Sequence, residues 1–71
     1  MKATASELSA LARNRQLTIV LFPVRGAAVS LPPLALQKKF DADFKIEFDT
    51  TGFEIRVREA ANVVAPQAAA A

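Results

Sequence analysis

Two segments of the chain alternate apolar and polar side chains with a period of two, the pattern of a half-buried β-hairpin. The apolar members are Phe44, Ile46 and Phe48 in the first strand and Phe53, Ile55 and Val57 in the second. Placing Phe48 opposite Phe53 brings all six onto one face, since a one-residue slip would divide the set. This register leaves a four-residue loop, residues 49–52, with Gly52 in a left-handed conformation.

An earlier segment predicts a second hairpin of more apolar character. Residues 17–22 read Leu-Thr-Ile-Val-Leu-Phe, a β-rich run that is apolar on both faces and typical of a covered central strand. A turn over residues 23–26 leads into a returning strand over residues 27–31. We expect Phe22 to lie opposite Ala27, which aligns Val20 with Val29.

Two short helices are predicted, one before each hairpin. Thr4-Ala5-Ser6-Glu7 has the capping-box spacing, and the apolar stripe that follows consists of Leu8, Leu11 and Ala12. Asn14 is the expected end of this helix. The second helix begins at Pro33 and points Leu36 and Phe40 inward from adjacent turns.

The order helix, hairpin, helix, hairpin predicts an α+β fold. We expect a two-layer αββαββ arrangement, in which a four-stranded antiparallel sheet carries both short helices on one face. Residues 1–60 would form this single domain. Residues 61–71 are rich in alanine and lack periodicity, so the sequence predicts a flexible C-terminal tail there.

Composition argues against catalysis and cofactor binding. The 71 residues include no cysteine and no histidine, which removes the common nucleophiles, general bases and zinc ligands. Asp41 and Asp43 with Glu47 or Asp49 could hold Mg²⁺, but an acidic connector before a strand is the commoner meaning of such a cluster. We therefore expect no enzyme, cofactor, metal site or small-molecule substrate. The lack of cysteine and of long apolar runs favours a cytoplasmic protein outside the membrane.

Protein binding is the function that the sequence favours. Only one face of the apolar strand 17–22 can meet two short helices, so the other face or an unpaired edge needs a cover, and a second copy is the commonest one. The expected interface residues are Leu17, Ile19, Leu21, Val24 and Val29. We expect such a module to form a homodimer, to bind a protein partner, or both. It would suit an accessory, inhibitor or assembly role, including that of a phage or mobile-element protein.

Nucleic-acid binding is the alternative. Residues 1–39 carry a net charge of +5 and residues 40–71 a net charge of −3, so the basic groups are concentrated in the first half. The expected patch consists of Arg13, Arg15, Arg25, Lys38 and Lys39. This hypothesis requires the helix ends and the first turn to lie at the same edge of the fold.

Overall fold

The computed structural model describes residues 1–62 and confirms the α+β class. The strands are β1 (Lys2–Thr4), β2 (Thr18–Phe22), β3 (Val29–Leu31), β4 (Lys45–Thr51) and β5 (Glu54–Arg58). The helices are α1 (Ala5–Arg15), α2 (Pro33–Lys39) and a final 3₁₀ turn, Glu59–Ala61. Both predicted helices and both predicted hairpins are present.

The sheet is five-stranded and mixed, so the prediction of a four-stranded antiparallel sheet is wrong in detail. Its order is β1-β4-β5-β2-β3, and β2 pairs with β5 in parallel while every other pair is antiparallel. The additional strand, β1, has three residues, which is too short to show a period of two in the sequence. The parallel pair joins the two hairpins, and alternation within each hairpin carries no information about how the hairpins join.

These pairings fix the direction of every element. Strands β1, β2 and β5 run from what we call the lower edge of the sheet to its upper edge, and β3 and β4 run downward. Helix α1 joins the upper end of β1 to the lower end of β2, so it runs downward. Helix α2 joins the lower end of β3 to the upper end of β4, so it runs upward, antiparallel to α1. The two helices pack against each other.

The capping box that starts α1 is confirmed. The Glu7 backbone N–H donates to the Thr4 hydroxyl at 3.1 Å, and the Thr4 N–H donates to Glu7 Oε1 at 2.8 Å. The bond from the Thr4 N–H, followed by one from the Thr4 side chain, lowers the pKa of the Glu7 carboxyl. The helix ends at Gln16, which adopts the left-handed conformation with φ 55°, so Asn14 is not the terminator. Ser9, outside the predicted apolar stripe, is buried with no hydrogen-bond partner for its hydroxyl among the described residues.

Both predicted hairpin registers are wrong. In the first hairpin Val20 lies opposite Ser30, and Leu21 lies opposite Val29, a slip of one residue. In the second, Phe48 lies opposite Val57 and the strands continue to the pair Thr51 and Glu54. The loop is therefore only Gly52 and Phe53, and the φ of +58° at Gly52 matches the first central residue of a type II′ turn. A type II′ turn of two residues matches the right-handed twist of the strands, which favours it over the predicted four-residue loop.

The core lies between the two helices and the inner face of the sheet. Its members are Ala5, Leu8, Ala12, Ile19, Leu21, Leu36, Phe40, Ile46, Phe48, Ile55 and Val57. The Phe40 ring stacks on the ring of Phe44 with centroids 5.7 Å apart, where α2 leads into β4. Leu36 and Phe40 are both buried, as their spacing predicts. Phe53, which was expected to lie on this face, is 79% exposed in the turn.

The chain after β5 is bound to β4 by one side chain. Asn62 is buried, its Oδ1 accepts from the Glu47 N–H at 2.6 Å, and its Nδ2 donates to the carbonyl oxygens of Glu47 and Arg58. Ala61 and Asn62, the first two residues of the predicted tail, thus belong to the 3₁₀ turn and its cap. The remainder of that predicted tail, residues 63–71, lies outside the described residues.

Candidate interaction surfaces

The residues predicted to form a protein interface do not share a surface. Ile19 and Leu21 are 1% and 4% exposed in the core, and Leu17 is partly buried against it. The parallel pairing with β5 determines which face of β2 is buried. It places Ile19 beside Ile55 and Leu21 beside Val57, and both residues of β5 are in the core. A strand that is apolar on both faces could not reveal which face the helices cover. The outward residues of β2 are Thr18, Val20 and Phe22.

The other two predicted interface residues do lie at the surface, one on the edge strand β3 and one in the loop before it. Val24 is 66% exposed in the loop before β3, and Val29 is 46% exposed on β3 itself. Leu34, in the first turn of α2, is 71% exposed. The sequence did not predict it as an interface residue, because the helical spacing of α2 identified only its buried pair. We call these three residues with strand β3 the β3 edge. Three of the five large apolar side chains exposed in residues 1–62 belong to it.

The backbone of β3 is unpaired on its outer side within the described residues. β3 pairs with β2 alone, so the N–H and C=O groups that point away from β2 are open to another strand. Residues 26–37, which include β3 and most of α2, contain no charged side chain. The β3 edge therefore combines unpaired backbone groups with neighbouring side chains that are uncharged and partly apolar.

Glu59 fixes the loop that carries Val24. Its Oε1 accepts from the Val24 N–H at 3.2 Å, and its Oε2 lies 2.9 Å from Lys39 Nζ at the end of α2. The bond from Lys39, followed by that from Val24, lowers the pKa of the Glu59 carboxyl in spite of partial desolvation. One carboxylate thus connects the β2–β3 loop, α2 and the 3₁₀ turn.

The five residues of the predicted basic patch are divided between the two edges of the fold. Helix α1 runs downward, so Arg13 and Arg15 end at the lower edge, where the chain enters β2. Lys38 and Lys39 end the upward helix α2, and Arg25 follows the upper end of β2. The condition for one continuous patch is not met. The antiparallel arrangement of the helices, which determines this, depends on strand pairing that the sequence did not predict.

The sheet has an open outer face that bears mixed charge. Register places Arg56 between Val20 of β2 and Asp49 of β4, and places Arg58 beside Phe22. The Arg56 guanidinium carbon lies 5.0 Å from the centroid of the Phe22 ring, and its Nε lies 3.6 Å from Glu54 Oε1. A depression of about 260 Å³ opens there, lined by Phe22, Asp49, Thr50, Thr51, Arg56 and Arg58.

The possible magnesium site of the acidic connector has no counterpart in residues 1–62. No group of three or more acidic side chains in this range is placed to hold a metal ion, and Asp41 and Asp43 are exposed in the turn before β4. In the same range no helix is long and apolar enough to cross a bilayer. Comparisons of the chain with models of protein families, with curated proteins and with solved structures find no match.

Proposed function

We propose that this protein is a non-catalytic, cytoplasmic protein-binding module that self-associates through the β3 edge. The observation that supports the proposal best is the open strand β3 with exposed apolar side chains on it and in the segments that flank it: Val29 on the strand, Val24 before it and Leu34 after it. An unpaired strand that carries an exposed apolar side chain is a common site of interaction with another chain.

Strand addition is the binding mode that this surface favours. A β3 strand from another copy would pair with the open side of β3 and extend the sheet across the contact. If the two copies pair antiparallel, a two-fold axis relates them and each contributes the same residues, the usual arrangement in homodimers. Val29 and Leu34 of both copies would then be removed from water.

A second copy fits this edge better than a charged partner. Because residues 26–37 carry no charge, two copies meet without like-charge repulsion, and no charged group there selects a partner of opposite sign. A domain of this size also buries a small share of its surface by itself, so association adds apolar burial that the isolated chain lacks.

The test is to place a charge on the edge at a residue that tolerates it. Leu34→Glu puts a carboxylate in the first turn of α2, which has no acidic residue at present, and a negative charge there favours the helix. We expect the unmodified protein to be a dimer at micromolar concentration in analytical ultracentrifugation. The variant should be a monomer with an unchanged or raised melting temperature.

Phe53→Ser is the matched control. It removes an exposed apolar side chain from the β4–β5 turn, which is separate from β3. The substitution keeps the Phe53 carbonyl, which accepts from the Thr18 N–H at 2.8 Å. The control should remain a dimer. A monomeric unmodified protein that also captures no protein partner would overturn the proposal, as would a dimer that Leu34→Glu leaves intact.

A further inference from the structure

The outer face of the sheet suggests a binding activity separate from self-association. Strand β5 lies in the middle of the sheet and directs Arg56 and Arg58 outward, two residues apart. Phe22 lies beside Arg58 in register and under the Arg56 guanidinium, so one aromatic ring contacts or adjoins both cations. Neither helix covers this face, because the core is on the opposite side.

The two arginines differ in the partners that they already have. Glu54 Oε1 is 3.6 Å from Arg56 Nε, and the Arg56 guanidinium also lies over the Phe22 ring. Arg58 has no carboxylate within ion-pair distance among residues 1–62. Its donors therefore remain available for an external anion, and a guanidinium group binds phosphate oxygens through paired N–H donors.

The shape of the face indicates an extended ligand. A second depression, of about 140 Å³, adjoins the first, and Asp49, Arg56 and Arg58 line both. An isolated phosphate ion would fill only a small part of this space. A ligand that carries phosphate on the arginines and a planar group near Phe22 would use both depressions.

We propose that the outer face of the sheet binds nucleotide phosphate, with Arg58 as the principal phosphate ligand and Phe22 with Arg56 as a stacking surface for the base. The chemistry is shared by a free nucleotide and by a single strand, both of which combine phosphate with a stacking base. The Thr51 hydroxyl, in the lining of the larger depression, adds a further donor. Asp49 in the same lining limits the affinity by repulsion.

Four probes distinguish the possible sources of the anion. Inorganic phosphate, adenosine monophosphate, a fluorescent twelve-nucleotide single strand and a polyglutamate peptide are each titrated into the protein at low salt. Amide chemical shifts follow the small probes, and fluorescence anisotropy follows the strand and its competition by polyglutamate. We expect the nucleotide or the strand to bind more tightly than phosphate and than polyglutamate, with shifts at Phe22 and Arg58.

The variants separate this site from basic surface in general. Arg58→Ala should weaken binding by roughly tenfold or more, the effect of losing a charge-assisted hydrogen bond, and should reduce the salt dependence by about one phosphate contact. Arg15→Ala makes the same charge change at the lower edge of the fold and should have less than a twofold effect. Phe22→Leu keeps an apolar side chain and should weaken the nucleotide or strand but leave phosphate binding unchanged.

Several results would overturn the proposal: no binding of nucleotide or strand at low salt, equal losses in Arg58→Ala and Arg15→Ala, or equal affinity for polyglutamate. Leu34→Glu is expected to bind the probes as the unmodified protein does, because the β3 edge takes no part in this site. The failure of one proposal therefore leaves the other testable.

Discussion

At the scale of single residues, Asn62 shows how a side chain can replace part of a strand. β5 ends at Arg58, and the first residues of β4 extend beyond it at the upper edge of the sheet. The Glu47 N–H and C=O that face β5 would therefore lack a strand partner. The Asn62 carboxamide supplies one acceptor and one donor to Glu47, as a backbone amide pair would. Its remaining donor bonds the Arg58 carbonyl and closes the turn.

We predict that Asn62→Ala lowers the free energy of unfolding by about 1–3 kcal/mol, because a partly buried Glu47 N–H then loses its acceptor. Urea denaturation monitored by circular dichroism provides the measurement. Asn14→Ala is the matched control, since Asn14 is exposed on α1 and alanine is a better helix former. If both substitutions left the denaturation midpoint unchanged, the bonds from Asn62 would not stabilise the fold.

At the scale of secondary-structure elements, the short strand β1 protects the edge of β4. Met1 and Phe48 exchange backbone hydrogen bonds, with the Phe48 N–H donating to the Met1 carbonyl at 2.8 Å. Bonded pairs alternate along an antiparallel ladder, so Ala3 and Ile46 form the next such pair and the Lys2 N–H points to solvent. β1 thus leads directly into the capping box of α1 while it covers a longer strand.

This alternation yields a prediction for proline substitution. Ala3→Pro removes a donor from the ladder with β4 and should cost about 1–3 kcal/mol of stability. Lys2→Pro, at the neighbouring residue, removes a donor that the ladder does not use and should cost clearly less. Thermal unfolding of the two variants side by side is the measurement. Equal losses would mean that β1 does not pair with β4 in this register.

At the scale of the whole molecule, Glu59 connects parts of the chain that are distant in sequence. It follows β5, accepts from Val24 in the β2–β3 loop and pairs with Lys39 at the end of α2. The loop it holds belongs to the β3 edge, so the proposed contact between copies is attached to the rest of the fold through this carboxylate.

Stability should depend on the ionisation of Glu59. Lys39 and the Val24 N–H hold the pKa of Glu59 below its ordinary value of 4.5. Because the folded pKa is the lower one, the stabilisation is present above the unfolded value and is lost as the pH falls through the folded value. We expect the melting temperature of Glu59→Gln to fall less steeply with acidification below about pH 5 than that of the unmodified protein.

Lys39→Met provides the matching variant at neutral pH. It should lower stability by less than about 1 kcal/mol, the usual value for an ion pair near the surface, and should have no further effect in the Glu59→Gln protein. Glu7→Gln, in the capping box at the other end of the chain, should reduce the acid slope independently, because the pKa of Glu7 is also lowered. An unchanged pH profile in Glu59→Gln would contradict the proposed connection.

The sequence by itself determined the features that depend on near neighbours. The capping box of Thr4 and Glu7, the first helical residue Pro33 and the buried pair Leu36 and Phe40 follow from spacings of three or four residues. The α+β class follows from the two periods of the apolar pattern. These local rules hold wherever the elements lie relative to one another.

The tertiary structure decided every feature that depends on pairing between distant segments. The parallel contact of β2 with β5 selected the face of β2 that enters the core, and so moved Ile19 and Leu21 inward and Phe22 outward. It also set the helices antiparallel and separated the basic residues. The sequence of a strand divides its side chains between two faces but does not indicate which face the helices cover. Burial depends on how the strand pairs with its neighbours and not on its own sequence alone.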